Sequence, residues 1–297
     1  MDIAVLSDIH SNYVALERCI DYALSHRIER FLFLGDYVGD LAYPEKTMQI
    51  LYEMNTKYEC HFIKGNKEDY WLNFHENGGM IWQDKNSTTG SLLYTYNHLK
   101  KKDLEFFMNL QPVKNITFNN LPQLTICHGS PYKVNEKLSE DNARTYEIMD
   151  SVASPIILCG HTHLQNKIEY KEKMVVNSGS VGIPLRSNGK TQFLILHGTD
   201  KKWIPEFISL DYDINRVIDE IHESKLDEHA PCWCRVTENL LRKGDLSHDI
   251  VLKKAMTLCS AENGYCRWPH IPEKFWIQAI EELIESDVIM IPGGLLR

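Results

Sequence analysis

Apolar and polar positions alternate in blocks along the first sixty residues, and that pattern dictates an α/β framework. Ile3-Ala4-Val5-Leu6 is a continuous apolar run closed by Ser7, Asp8 and His10. A short run of this kind, followed by helical periodicity, reads as a buried strand feeding a helix. Val14, Leu16, Ile20, Ala23 and Leu24 then recur at near-helical spacing, with Glu17, Arg18 and Asp21 between them. Residues 31–34 are a second apolar run. Pro44 opens a second helix reaching about Met54, and residues 60–63 form a third run. Strand, helix, strand, helix, strand predicts parallel pairing with helices as crossovers.

From residue 69 to about 110 the chain reads as mostly helical and polar, with Trp71, Trp82 and a Lys100-Lys101-Lys102 run that is a solvated face. The texture changes at Val113. Residues 113–118 and 121–127 predict a hairpin across Asn119-Asn120, and further strands fall at 156–159, 174–177, 191–197 and 203–209 without long helices between them. A parallel first half and a strand-rich second half predict a four-layer α/β/β/α sandwich of two mixed sheets, with helices outside. Beyond residue 211 helical spacing returns: Ile214, Val217, Ile218 and Ile221 share a face, and a late helix runs near 274–286. We expect a main domain over 1–210 and a helical C-terminal appendage over 211–297.

Composition narrows the function classes. At 297 residues, 43% hydrophobic and 25% charged, the chain can bury a full core. A net charge of −9 argues against general binding to nucleic-acid backbones. No apolar stretch approaches the ~20 residues of a membrane span, and no signal peptide opens the chain, so a cytoplasmic protein is expected. The eight cysteines are scattered. Cys232-Trp233-Cys234 with His229, and Cys259 with Cys266 and His270, lack zinc-knuckle spacing and read as ordinary reduced thiols. Trp233, Trp268, Phe275 and Trp276 are expected to pack the appendage on the main domain or on a second subunit, leaving a homo-oligomer open.

The chemistry lies where the apolar runs end. Five of them close on Asp8 and His10, Asp36, Asn66, His128, and His161 with His163, most beside a glycine. A single Asp-x-His is commonly a helix cap beside a hydrogen-bonded histidine. Five ligand-type blocks at strand ends are another matter, because α/β sheets place their ligands there. Mixed carboxylate, amide and imidazole donors suit two divalent cations a few Å apart, and Asp36 could bridge them.

These blocks resemble the signature of the calcineurin-like metallophosphoesterases: Asp-x-His, Gly-Asp-x-x-(Gly/Asp), Gly-Asn-His-(Asp/Glu), a lone His, and Gly-His-x-His. They occur in family order across residues 8–163, and Asn177-Ser178-Gly179-Ser180-Val181-Gly182 is similar to a stretch of the small bacterial and archaeal phosphodiesterase-like branch. The resemblance implies that Asp8, His10 and His163 hold one metal, that Asn66, His128 and His161 hold a second, and that Asp36 bridges them. The metals would be manganese, iron, nickel or zinc. It implies hydrolysis of a small phosphoester or nucleotide, a hydroxide shared by the cations attacking phosphorus in line.

One block departs from the pattern. Lys67 stands where the family has a histidine near the leaving group. An ammonium could grip phosphate or stabilise a leaving oxygen, and its pKa should fall near two cations. Alternatively Lys67 points into solvent at a helix start. Asn12 is a candidate phosphate contact or a helix cap, Asp40 a candidate partner for a metal-ligating histidine, and Arg186 a candidate phosphate clamp. Two rivals follow: a metal-loaded regulatory module with little turnover, or a protein phosphatase-like enzyme.

Overall fold

The computed structural model describes residues 1–78 and 81–285. The first sheet grows from β1 (Asp2–Leu6), which is followed by α1 (Tyr13–Ser25), β2 (Arg30–Phe33), α2 (Pro44–Lys57) and β3 (Glu59–Phe62). The three strands pair in parallel, as the pattern predicts. Three helices follow, α3 (Asn66–Glu76), α4 (Gly90–His98) and α5 (Lys101–Asn109). The second sheet takes β4 (Val113–Ile116), β5 (Leu124–Cys127), then α6 (Ala143–Ser151), β6 (Ile156–Cys159), β7 (Gln165–Tyr170) and β8 (Lys173–Ser178). The chain returns to the first sheet with β9 (Thr191–Thr199) and β10 (Lys202–Leu210). Strand orders are β10-β9-β1-β2-β3 and β4-β5-β6-β8-β7, each mixing parallel and antiparallel pairs.

Period-two alternation builds the layers. Ile3 and Val5 of β1 face Leu124, Ile126, Ile156 and Leu158 of the other sheet, filling the space between the two. Ala4 and Leu6 face outward, under Leu16 and Ile20 of α1 and Leu51 of α2. On the far side, Ile148 and Met149 of α6 cover Ile157, Cys159 and Val175. The result is the expected four-layer sandwich.

Three elements differ from the sequence expectation. The hairpin register pairs Ile116 with Leu124, so its loop is longer than Asn119-Asn120 alone. Phe118 is buried between the sheets and the Pro122 carbonyl accepts from Trp203 Nε1 at 2.8 Å, so the loop is pinned inward rather than closed tightly. β7 is an edge strand with Ile168 as its one fully buried residue, so it has no apolar run to betray it. α6 buries only Thr145, Ile148 and Met149, too few to show a period.

After β10 come α7 (Ile214–Glu223), α8 (Leu226–His229), α9 (Pro231–Lys243), α10 (His248–Asn263) and α11 (Glu273–Ile280), the last running into a π-helical turn, Glu281–Glu285. The expected end of the late helix at Ser286, and the rest of the appendage to 297, lie outside the described residues. Val217, Ile218 and Ile221 of α7 pack on Val14, Leu41, Tyr94 and Ile183, so the helical region shares a core with the sandwich. A second core inside it joins Val236, Val251, Phe275 and Trp276. All eight cysteines are free thiols. Among the described residues, no helix is long and apolar enough to cross a membrane.

Candidate metal centre

The strand ends bring Asp8, His10, Asp36, His128 and His163 into one buried cluster, with Asn66 and His161 lining the same pocket. Getting five of these side chains inward requires unusual backbone. Asp8, His10, Asp36, His161 and His163 all have φ between 50° and 66°. Left-handed geometry of this kind costs non-glycine residues about 1–3 kcal/mol each and survives only where the surroundings enforce it. Gly160 is part of that enforcement: a Cβ there would stand 1.9 Å from Ser7 Oγ and 2.5 Å from Asp8 Oδ2.

Each donor is aimed by its second polar atom. Asp8 Oδ2 accepts from Ser7 Oγ at 2.7 Å and from the His161 amide at 2.9 Å, which turns Oδ1 toward the centre. Asp36 Oδ1 accepts from the Lys67 amide at 2.8 Å, leaving Oδ2 at 3.4 Å from His128 Nε2 and 3.8 Å from His10 Nε2. His128 Nδ1 lies 2.7 Å from the Leu34 carbonyl, His163 Nδ1 3.0 Å from the Ile183 carbonyl, and His10 Nδ1 2.6 Å from Asp40 Oδ2. In all three rings Nε2 is therefore the inward atom, the tautomer that a carbonyl or carboxylate behind a metal ligand enforces. His10 Nε2 and His163 Nε2 approach to 3.2 Å.

The donors form two trios, Asp8–His10–His163 and Asp8–Asp36–His128, within each of which the ligand atoms lie inside 4.8 Å. Asp8 is common to both, and Asp36 Oδ2 also faces a histidine of each. Among the described residues, Asp8 Oδ1, Asn66 Oδ1 and His128 Nε2 are buried without a hydrogen-bond partner. Buried orphans of this kind cost free energy unless something pairs with them. A hard-to-borderline divalent cation meets that demand with the oxygen and imidazole donors present. The residues fit the group.

Electrostatics agree. Burial pushes the His10 and His128 imidazoles down, yet nearby carboxylates carry them up to about 9 and about 10 respectively: Asp40 and Asp8 for His10, Asp36 and Asp8 for His128. Burial raises Asp36, but His128 brings it down to about 2. The cluster is a concentrated negative site that protons neutralise, and a cation would compete for the same lone pairs.

Lys67 does not point into solvent. Its Nζ lies 3.1 Å from Asp40, 12% of the side chain is exposed, and it lines the pocket. Burial lowers its pKa, but Asp40 and Asp36 outweigh this and hold it above the ordinary lysine value. Asp40 takes the partner role proposed for it, and more: Oδ1 also accepts from Trp233 Nε1 at 2.9 Å. Asn12 is a cap and a tie. Its Oδ1 accepts from the Ala15 amide and its Nδ2 donates to the Gly182 carbonyl, away from the pocket. Arg186 has an exposed side chain outside the pocket lining, and its backbone N–H donates to the Gly244 carbonyl.

Three contributors went unread in the sequence. Trp233 of α9 and His248 of α10 wall the pocket, which has a volume of about 360 Å³, and their rings stack at 4.2 Å. Glu68 is the third. Its carboxylate accepts the amides of Asp36, Tyr37 and Gly65, bolting two strand-end blocks together. Its place three residues past Gly65 at a helix start is a capping-box position that could have revealed it.

The chain is 26% identical over 251 residues to the uncharacterized protein MJ0912 of Methanocaldococcus jannaschii, covering 76% of this chain and 94% of that protein. Its fold is similar to the hypothetical protein PH1004 of Pyrococcus horikoshii, with a TM-score of 0.70, 20% identity, and 83% and 99% of the two chains covered. It is also similar to a metallophosphoesterase of Sphaerobacter thermophilus, with a TM-score of 0.62, 19% identity, and 76% and 95% covered. The likeness to PH1004 runs past the sandwich into the helical region. Residues 1–201, which carry every block at the strand ends, match the calcineurin-like phosphoesterase superfamily domain, and the chain belongs to that family.

Proposed function

We propose that the protein hydrolyses small phosphoesters with two divalent cations held by Asp8, His10, Asp36, Asn66, His128, His161 and His163. The observation that carries this reading is the set of buried, unpartnered ligand atoms: Asp8 Oδ1 and His128 Nε2, 3.6 Å apart, and Asn66 Oδ1, whose residue lines the pocket. Cations bound there supply charge neutralisation for phosphoryl oxygens and an acidified water. The chain's own residues do the rest. Asp40 and the Leu34 and Ile183 carbonyls fix the ring orientations of His10, His128 and His163. Lys67, held by Asp40, presents a fixed positive charge to a phosphate oxygen at the pocket wall. Trp233 and His248 wall the pocket on the side of the helical region.

The test is hydrolysis of bis-p-nitrophenyl phosphate and p-nitrophenyl phosphate by manganese-loaded protein. Asp36→Asn is expected to lower the rate about 100-fold or more, the consequence of losing charge stabilisation worth several kcal/mol. One observation favours a second reading, a regulatory module with little turnover: Lys67, standing where the family has a histidine, is tied in an ion pair with Asp40. Wild-type protein that binds two manganese ions per chain yet hydrolyses no faster than Asp36→Asn would favour that alternative.

A further inference from the structure

The metal pocket does not end at Lys67. Asn66, Lys67, Tyr70 and Trp233 also line a second stretch that reaches Trp268, and Tyr70 and Trp268 continue into a third, a groove of about 240 Å³. Tyr70 borders all three stretches, a shared wall along which one ligand could run as through a channel. Its outer part is floored by Phe74 and Trp82, whose rings stack at 3.9 Å and 10°. Tyr70 and Trp268 at its rim are 42% and 43% exposed, high values for residues of this size. Asn73 and Asn77 bring amide groups to the same groove, and among the described residues no charged side chain lines it.

The ladder along α3 sets the spacing. Asn66, Tyr70 and Phe74 stand at i, i+4 and i+8, so each step outward from the pocket is about 6 Å along the helix. A phosphate at the metal pocket would thus have its first aromatic neighbour one turn away and the stacked floor two turns away. That is the separation of a phosphate from a planar base with a sugar between them. A phosphorylated aromatic side chain would place its ring directly against the phosphate, short of the floor. An alkyl chain would leave the two amides without partners, whereas the edge of a heterocycle offers them donors and acceptors. Aromatic faces open to solvent are what bases stack on.

We infer that the channel binds a nucleotide phosphoester, its phosphate in the metal pocket beside Lys67 and its base in the groove bounded by Tyr70 and Trp268. This rests on the phosphoesterase reading for the phosphate and goes beyond it for the base.

The test measures binding to the manganese-loaded full chain by calorimetry, using phosphonates that cannot be hydrolysed. The probes are the phosphonate analogue of AMP, with methylene in place of the ester oxygen, and methylphosphonate as the base-free partner. The AMP analogue is expected to bind about five- to a hundredfold more tightly, the range that stacking on one aromatic side chain gives. Trp268→Ala, outside the metal-pocket lining, should erode that preference and leave methylphosphonate affinity unchanged. Tyr70→Ala should erode it as well, while Tyr70→Phe retains it. Both residues are substantially exposed, so folding is not at issue. Equal affinity for the two phosphonates overturns the inference, as does an equal loss for both in Trp268→Ala. Tighter binding of benzylphosphonate than of the AMP analogue overturns it too. Base-dependent binding by a protein that hydrolyses neither p-nitrophenyl ester would sink the catalytic reading alone and leave this one standing.

Discussion

Asp40 holds three groups with two oxygens: His10 through Oδ2, and Trp233 with Lys67 through Oδ1. Buried at 2% exposure, it stays ionised because Lys67 and His10 outweigh the cost of burial and keep its pKa well below the ordinary carboxylate value. Asp40→Asn removes the charge behind His10 while preserving shape. Manganese affinity is expected to fall about 10–100-fold, the usual loss when a ligand's hydrogen-bond partner is changed. Calorimetric titration checks it; an unchanged affinity would show that His10 needs no carboxylate behind it. At this scale the sequence was legible where a ligand-type residue closed an apolar run, as for Asp8, Asp36 and His128. It was illegible where a role depends on a distant element. Nothing local distinguishes Trp233 as a donor to Asp40 from an aromatic that merely packs, and it does both. Arg186, expected as a clamp because a basic residue near a glycine-rich turn looks like one, keeps an exposed side chain outside the pocket lining, while its backbone N–H donates to the Gly244 carbonyl.

Among the elements, the strands of the first sheet were readable because most are buried on both faces. Their connections were readable from helical periodicity. Polar edges were not, and β7 shows why: pairing to β8 through the backbone needs no apolar side chain. β9 offers an element-scale test away from the centre. His197 lies opposite Asp2 of β1 and Ile204 of β10, with Nδ1 2.9 Å from Asp2 and Nε2 2.8 Å from Glu206. Partial burial pushes its pKa down, but Glu206 and Asp2 more than offset this and leave it raised. A raised folded value means that the protonated ring stabilises the fold. That contribution is fully present below about pH 6.5, the unfolded value, and is lost as pH rises through the folded pKa. Urea unfolding of wild type and His197→Gln should differ most near pH 6 and converge at pH 9. A gap that is constant or grows with pH would refute the assignment.

For the whole molecule, the helical region shares a core with the sandwich. Its α7 face covers Val14, Leu41, Tyr94 and Ile183, and Trp276 Nε1 donates to Thr88 Oγ1. A chain ending at residue 210 would expose that surface together with the open wall of the metal pocket. Each large apolar side chain uncovered costs about 1.5–3 kcal/mol, so several together rival the stability of an ordinary domain. Such a truncation is expected to aggregate or to melt well below the full chain, checked by size-exclusion chromatography and thermal unfolding. A monodisperse, fully folded product would show that the sandwich stands alone. The sequence placed the change of texture near residue 211 because periodicity is local. That α9 and α10 fold back over strand ends two hundred residues earlier is a matter of tertiary packing, which periodicity does not encode.

The left-handed backbone at Asp8, His10, Asp36, His161 and His163 has a consequence for substitution. Glycine adopts that geometry without strain, so a change to glycine at any of the five removes a polar side chain from the cluster while relieving the backbone.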